Sequence, residues 1–239
     1  MNRTFAIARK EFRTFFNSPV AYIVIGLYLL IAGYLFFSTL FAAGQASLRA
    51  FFSIAPMLFV VFAPALTMRL IAEERKTGTV EFLLTQPLQD WEVVVGKFLA
   101  SLATVGVGLL FSLPFALSVA SLTSDGQHFD WGSTFAGYLG LTLLASSFLS
   151  LGLFASCLSK NQIVGLIAGF SLCLAFYLVD KLAVFFPDSM GGVLQFLSVD
   201  FHFENIARGG IDSRDVIFYL SLTAAGLVLT TRSLAGVRQ

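Results

Sequence analysis

Two histidines are the residues of this chain most typical of enzymatic or metal chemistry, and both fall between apolar segments. His128 and His202 lie in short polar stretches, and "DFHFEN" places Asp200, His202 and Glu204 at alternate positions. In a strand these three side chains would share one face and could hold a metal ion. The same alternation is typical of a solvated edge beside an apolar one. We expect the solvated edge and no metal site.

The sequence contains none of the catalytic motifs that we sought. No HExxH zinc motif and no GxSxG nucleophile elbow is present. A P-loop needs GxxxxGK followed by Ser or Thr, yet Trp91 stands where the first glycine belongs and Phe98 follows Gly96-Lys97. The chain is therefore predicted to be a non-catalytic subunit without a cofactor of its own. Any ATP and Mg²⁺ would be bound by a partner.

Composition indicates the class of protein that must position these residues. Of 239 residues, 57% are hydrophobic and only 12% are charged, against about 25% charged in soluble domains. The two cysteines, Cys157 and Cys173, lie inside apolar runs without the spacing of a metal or redox pair. The sequence predicts an all-α polytopic membrane protein without a cleavable signal peptide.

Uncharged runs of about 20 residues are long enough to cross a bilayer. They predict six spans, of which the last is the weakest because Asp215 and Arg232 would have to reach the interface from its ends. The predicted spans are Val20–Phe41, Phe51–Leu70, Val93–Ser121, Trp131–Ser156, Ile163–Leu182 and Val216–Leu234.

Lysine and arginine predict the orientation, because cytoplasmic loops carry an excess of both. Four lie on one side of the six-span arrangement: Arg49, Lys181, Arg208 and Arg214. The other eleven lie with the two termini, which are therefore predicted to be cytoplasmic: Arg3, Arg9, Lys10, Arg13, Arg69, Arg75, Lys76, Lys97, Lys160, Arg232 and Arg238.

The first 17 residues predict a helix lying flat in the inner interface. Phe5, Ala8, Phe12, Phe15 and Phe16 fall on one helical stripe, with the charges elsewhere. A disordered cytoplasmic leader is the alternative. Asn17-Ser18-Pro19 then ends this helix, since proline suits the first turn of the next one.

The cytoplasmic loop 71–90 carries the most distinctive polar sequence. Its flanking charges, of mixed sign, can pair with one another or with a neighbour: Arg69, Glu73, Glu74, Arg75 and Lys76. A short helix should follow, capped by Gly78 or Thr79 and ended by Pro87. It is too short to span, so its apolar residues should insert into a partner's groove or rest on the lipid headgroups. Its residues are Gly78, Thr79, Val80, Glu81, Phe82, Leu83 and Leu84.

The middles of the predicted spans lack ionisable side chains. No ionisable residue lies near the middle of a span, which argues strongly against proton coupling and moderately against sodium coupling. Gly165 and Gly169 form a GxxxG pair on the fifth span, which permits close helix packing, either within one chain or between two.

Four segments resemble the type-2 ABC exporter permeases. The most specific is "PALTMRLIAEERKTGTVEFLLTQPLQDWEVVVGKFLA". "FFNSPVAYIVIGLYLLIAGYLFF", "LSKNQIVGL" and "HFENIARGGIDSRDVIFYLSL" are similar to the gliding-motility-type subgroup, related to the nitrous-oxide-reductase maturation permeases. The resemblance covers nearly the whole chain.

The resemblance implies a single permease domain over residues 1–239 and a role for each part. The helix from Gly78 to Leu84 would be the coupling helix that docks into an ATPase, with the charges from Glu73 to Arg75 beside it, and Lys97 would mark the inner end of the third span. Residues 183–215 would be an external segment with short helices. The partners implied are two cytoplasmic ABC ATPases, a second permease chain, identical or not, and possibly an accessory membrane subunit. No nucleic acid is implied.

The function predicted from residues and resemblance together is a bacterial inner-membrane permease subunit that couples ATP hydrolysis on separate ATPases to export or membrane-side work. The alternative is a non-translocating scaffold that transmits force from the same ATPase. A secondary transporter is disfavoured by the charge-free spans. Substrate is the property that resemblance transfers least.

Overall fold

A computed structural model describes residues 3–44, 47–78, 89–123, 129–183 and 188–237, and these residues form helices and no strand. The helices are α1 (Arg3–Asn17), α2 (Pro19–Ala43), α3 (Arg49–Thr67), α4 (Ala72–Thr77), α5 (Asp90–Leu122), α6 (Trp131–Leu158), α7 (Gln162–Ala183), α8 (Asp188–Leu197), α9 (Val199–Ala207) and α10 (Ser213–Val237).

Six of the described helices are long and apolar enough to cross a membrane: α2, α3, α5, α6, α7 and α10. The all-α polytopic fold predicted from the sequence is confirmed. The helices alternate in direction, so one end of the bundle carries α1 and α4 and the opposite end carries α8 and α9. We call these ends the α1 face and the α9 face.

The last span differs from its prediction at one end. α10 begins at Ser213, so it includes Asp215, whose side chain is buried rather than extended to the interface. That part of the prediction is wrong, because a partner on α9 bonds the carboxylate inside the protein. Arg232, near the other end of α10, is exposed as expected.

α6 forms the centre of the bundle and contacts α3, α5, α7, α9 and α10. Where these helices cross α6 closely, α6 has glycine. A Cβ added at Gly137 would collide with the ring of Phe52 on α3, and one at Gly152 would collide with the Thr67 hydroxyl. The spans pack by close backbone approach, which is how helices associate without a hydrophobic driving force between them.

The predicted GxxxG pair lies on α7 and faces the same chain. A Cβ added at Gly169 would lie 3.1 Å from Cβ of Pro64 on α3, and one at Gly165 would lie 3.4 Å from the carbonyl oxygen of Met68. Of the two predicted uses, packing within one chain therefore has direct contacts.

α1 packs lengthwise against the start of α5. Ala8 and Phe15 from its predicted stripe are buried, whereas Phe5 is 61% exposed. A Cβ added at Gly96 of α5 would lie 2.7 Å from Cγ2 of Ile7, so glycine permits this contact. The amphipathic helix is present, and it is held by protein contacts on one face.

Candidate functional site at the α1 face

The predicted ATPase-docking residues divide between described and undescribed parts of the chain. Arg69 lies in the turn after α3, Glu73 to Lys76 form most of α4, and Gly78 ends α4 with a left-handed φ of 72°. That conformation suits glycine at a helix C-terminus. Thr79, Val80, Glu81, Phe82, Leu83 and Leu84 lie outside the described residues.

Lys97 on α5 is the centre of the polar contacts at this face. Its side chain is 2% exposed, and its Nζ donates to Oε1 of Glu74 on α4 at 2.7 Å and to Oε1 of Glu11 on α1 at 3.3 Å. One buried ammonium thus joins three helices that are far apart in sequence. Burial of a charge is tolerated when it is paired and hydrogen-bonded, as here.

Ser156, near the end of α6, fixes the other side of α4. Its hydroxyl oxygen accepts from the backbone N–H of Ile71 at 3.3 Å and of Ala72 at 3.1 Å, and its hydroxyl donates to the carbonyl of Met68 at 2.9 Å. The first N–H groups of a helix have no partner within it. Ser156 supplies one from a neighbouring span, so α4 is attached to the core of the bundle.

Two arginines complete the attachment of the turn and α4. Arg75 donates from Nη1 to the carbonyl of Cys157 on α6. Arg69 donates from Nη2 to the hydroxyl of Ser18 at 2.9 Å, and its guanidinium lies 5.9 Å from the ring centroid of Phe15. Of the predicted flanking charges, Arg69, Glu74 and Arg75 therefore bond to neighbouring helices of their own chain.

The far end of the loop is anchored at the start of α5. The backbone N–H of Gln89 donates to Oε2 of Glu92 at 2.9 Å, within a capping box that fixes the first turn. Trp91 donates from Nε1 to the side chain of Gln89 and is 50% exposed. Both described ends of the loop 71–90 are thus held by specific hydrogen bonds.

A family model described as "ABC-2 family transporter protein" matches residues 5–198 of this chain. The chain belongs to this family. A search of curated proteins finds no significant match. The chain is thereby a multi-pass membrane subunit of an ABC transporter, and the family implies association with an ABC ATPase.

The α9 face of this ABC-2 transporter holds a second set of buried hydrogen-bonding side chains. His202 lies on α9, with Nδ1 2.6 Å from Oδ1 of Asp215 on α10 and Nε2 2.9 Å from the carbonyl oxygen of Phe196. Its ring stacks on Phe218 with centroids 4.1 Å apart. Because a carbonyl oxygen only accepts, Nε2 carries a hydrogen and donates it. A single hydrogen between Nδ1 and Asp215 then completes the pair.

The prediction of a solvated edge at "DFHFEN" is therefore wrong. This stretch is part of helix α9 rather than a strand or solvated edge, and Asp200 and His202 are both buried. No group of three or more potential metal ligands occurs among the described residues. Alternation in the sequence was a poor guide because α9 is covered by α10 on one side and α7 on another.

A second ion pair joins α7 to α9. Nζ of Lys181 lies 2.9 Å from Oδ2 of Asp180 and 2.8 Å from Oδ2 of Asp200, while Ser198 donates to Oδ1 of Asp180 at 3.0 Å. Burial raises the pKa of the Asp200 carboxyl above its ordinary value, and the neighbouring Lys181 ammonium opposes that effect only in part. Desolvation disfavours the charged carboxylate.

Several residues that organise the α1 face were missed by sequence reasoning. Lys97 was expected only to mark the end of a span, and Glu11 and Ser156 had no predicted role. A signal did exist for Lys97, since a lysine deep in the first turns of a span needs a carboxylate partner. Nothing in the sequence singles out Ser156 from the other serines of α6.

Proposed function

We propose that this chain is the permease subunit of an ATP-driven exporter, with the α1 face toward the cytoplasm. Two ATPases would dock on the loop 71–90 and hydrolyse ATP with Mg²⁺ on their own chains. The observation that carries the proposal is the Lys97 contact to Glu74 and Glu11, because it connects the described end of that loop to α1 and α5 at once.

Movement of the docked loop would reach the spans by two routes. A displacement of α4 pulls on Lys97, and hence on α5 and α1, through the pair with Glu74. The same displacement pulls on α6 through Ser156 and through the bond from Arg75 to Cys157. Short polar contacts suit this role, since a hydrogen bond or ion pair can exchange partners while packed apolar side chains resist displacement.

The complex would contain a second permease chain, identical or not. α2 and α7 both present large exposed apolar side chains, including Leu30, Tyr34, Ile163 and Ile167, to lipid or to such a partner. An accessory membrane subunit could occupy similar surface. We assign the protein to the gliding-motility-type subgroup in a bacterial inner membrane on the similarity of its first span, fourth loop and last span.

Pull-down from detergent tests the docking step. Replacing Phe82 and Leu83 with Asp should abolish co-purification of the ATPase while membrane insertion stays normal. The matched control places two aspartates at Val193 and Ile211, which are exposed at the α9 face. An ATPase that remains bound to the Phe82/Leu83 variant would show that docking occurs elsewhere.

A non-translocating role keeps one observation in its favour. The cavity of about 720 Å³ between α5 and α6 is lined mainly by apolar residues such as Leu110 and Leu113, where a polar substrate would find few partners. Either a second chain completes the path, or the subunit transmits force without transport. Stimulation of ATPase activity by a substrate in reconstituted vesicles supports export, and force transmission predicts no such stimulation by any solute tested.

A further inference from the structure

A polar cavity at the α9 face has no role in the proposed coupling. It has a volume of about 390 Å³ and opens between the start of α3, the end of α7 and α9. Phe52 and Phe203 are buried beneath it, and Tyr177 forms part of its wall. The cavity lies at the ends of two candidate spans, α3 and α7. Aromatic residues at span ends typically meet lipid headgroups.

The charges around this cavity are unevenly distributed. Lys181 is bonded to two carboxylates: Asp200, which lines the cavity, and Asp180, which lies just outside its lining. These two carboxylates and one ammonium together carry a net negative charge. Arg208 is paired with Glu204 at 2.9 Å and is locally balanced.

Arg49, at the start of α3, supplies a positive charge on a different wall of the cavity. Its side chain is exposed and makes no ion pair within the described ranges, although its backbone N–H donates to Oγ of Ser47. The cavity is therefore dipolar, positive at Arg49 and negative around Lys181. Guanidinium groups match phosphate oxygens, and carboxylates and aromatic rings attract an ammonium group.

We propose that this cavity binds the zwitterionic phosphate-and-amine headgroup of a phospholipid from the leaflet at the α9 face, with the phosphate at Arg49. The amine would lie toward Asp200 and Tyr177. A soluble molecule with the same phosphate and amine groups has the same chemistry. The position of the cavity at the ends of two spans favours the lipid, whose acyl chains can remain in the bilayer.

The test uses the full-length chain purified with its partners, stripped of lipid and titrated by native mass spectrometry. The probes are a phosphatidylethanolamine, a phosphatidylglycerol that lacks the amine, and soluble glycerophosphoethanolamine. Arg49→Gln should weaken phosphatidylethanolamine binding about tenfold, the effect of losing a hydrogen bond to a charged group. Arg214→Gln is the matched control, since Arg214 is exposed at the same face but outside this cavity.

Three results would overturn the proposal. Equal phosphatidylethanolamine binding by Arg49→Gln and wild-type protein would remove Arg49 from the site. Equal binding of phosphatidylglycerol would show that the amine is not recognised. Glycerophosphoethanolamine binding as tightly as the lipid would assign the cavity to a soluble ligand. A tenfold loss confined to Arg49→Gln, with preference for phosphatidylethanolamine, supports the lipid site.

Discussion

Lys97 at the α1 face and His202 at the α9 face are both 2% exposed, yet the helices that they join are held in different ways. α4, which Lys97 bonds through Glu74, is six residues long and has one buried residue, Ala72. α9, which carries His202, also buries Val199, Phe203 and Ile206 against its neighbours.

This difference indicates which face can move. An element held mainly by polar contacts can shift when those contacts exchange partners, whereas an element held by packed apolar side chains is fixed by its shape. At the α1 face, α4 itself combines strong local bonds with little apolar burial, and the apolar anchor lies just before it at Leu70 and Ile71. The α9 face combines both kinds of contact, and we expect it to serve as the rigid end of the bundle.

The largest expected effect comes from Lys97→Ala. It removes the buried ammonium that bonds the carboxylates of Glu11 and Glu74, and should lower the free energy of unfolding by about 3 kcal/mol, because breaking a buried ion pair by removing one partner is strongly destabilising. Thermal and denaturant unfolding in detergent measure this change in the free energy of unfolding. Lys76→Ala, an exposed lysine on α4, is the control and should change stability little.

A triple variant separates stability from coupling at the same site. Lys97→Met with Glu11→Gln and Glu74→Gln removes all three charges, and should recover most of the lost stability because no charge is then left without its counter-charge in the protein interior. If Lys97 transmits motion as proposed, ATP-dependent activity of the assembled complex stays low in this variant. Recovery of both stability and activity would reduce the network to a structural role.

Asp215→Leu should have the next largest effect. It leaves Nδ1 of His202 buried without a partner, which should lower the free energy of unfolding by about 2 kcal/mol. Asp215→Asn is the control, since its amide can donate to Nδ1 while Nε2 still donates to Phe196. Equal loss in the two variants would mean that shape, and not the hydrogen bond, holds α9 to α10.

Ser156→Ala should have a smaller effect on stability, about 1 kcal/mol, through the loss of the hydroxyl that bonds Ile71 and Ala72. Ser150→Ala is the matched control, because its buried hydroxyl donates to the carbonyl of Ser147 in its own helix. Hydrogen exchange at Ala72 should accelerate in the first variant and not in the second. Unchanged exchange would show that Ser156 does not fix α4.

Asp200→Asn should have the smallest effect and the clearest pH dependence. The pKa of Asp200 is raised in the folded state. Its stabilising contribution to the free energy of unfolding is therefore complete below the ordinary carboxyl pKa, and it is lost as pH rises through the folded pKa. The variant, which cannot ionise, should therefore gain stability relative to wild type as pH rises toward neutral. If the free energies of unfolding of the variant and the wild type changed equally with pH over that range, the prediction would be contradicted.

The spans and their order could be predicted because apolar length and charge exclusion are local properties of the sequence. The amphipathic α1 followed from one helical stripe. The error at Asp215 has a physical origin: a charged residue near a span end can reach the interface or find a buried partner, and the partner His202 is 13 residues away on another helix.

The sequence by itself determined that this chain crosses a membrane through helices, which residues could enter the bilayer, and where the distinctive polar loop lies. Only the tertiary structure decided that Lys97 joins Glu11 and Glu74, and that Ser156 bonds the start of α4. Such pairings depend on how helices pack and face one another. That is set by the summed contacts of many small and aromatic side chains, and no single stretch of sequence encodes it.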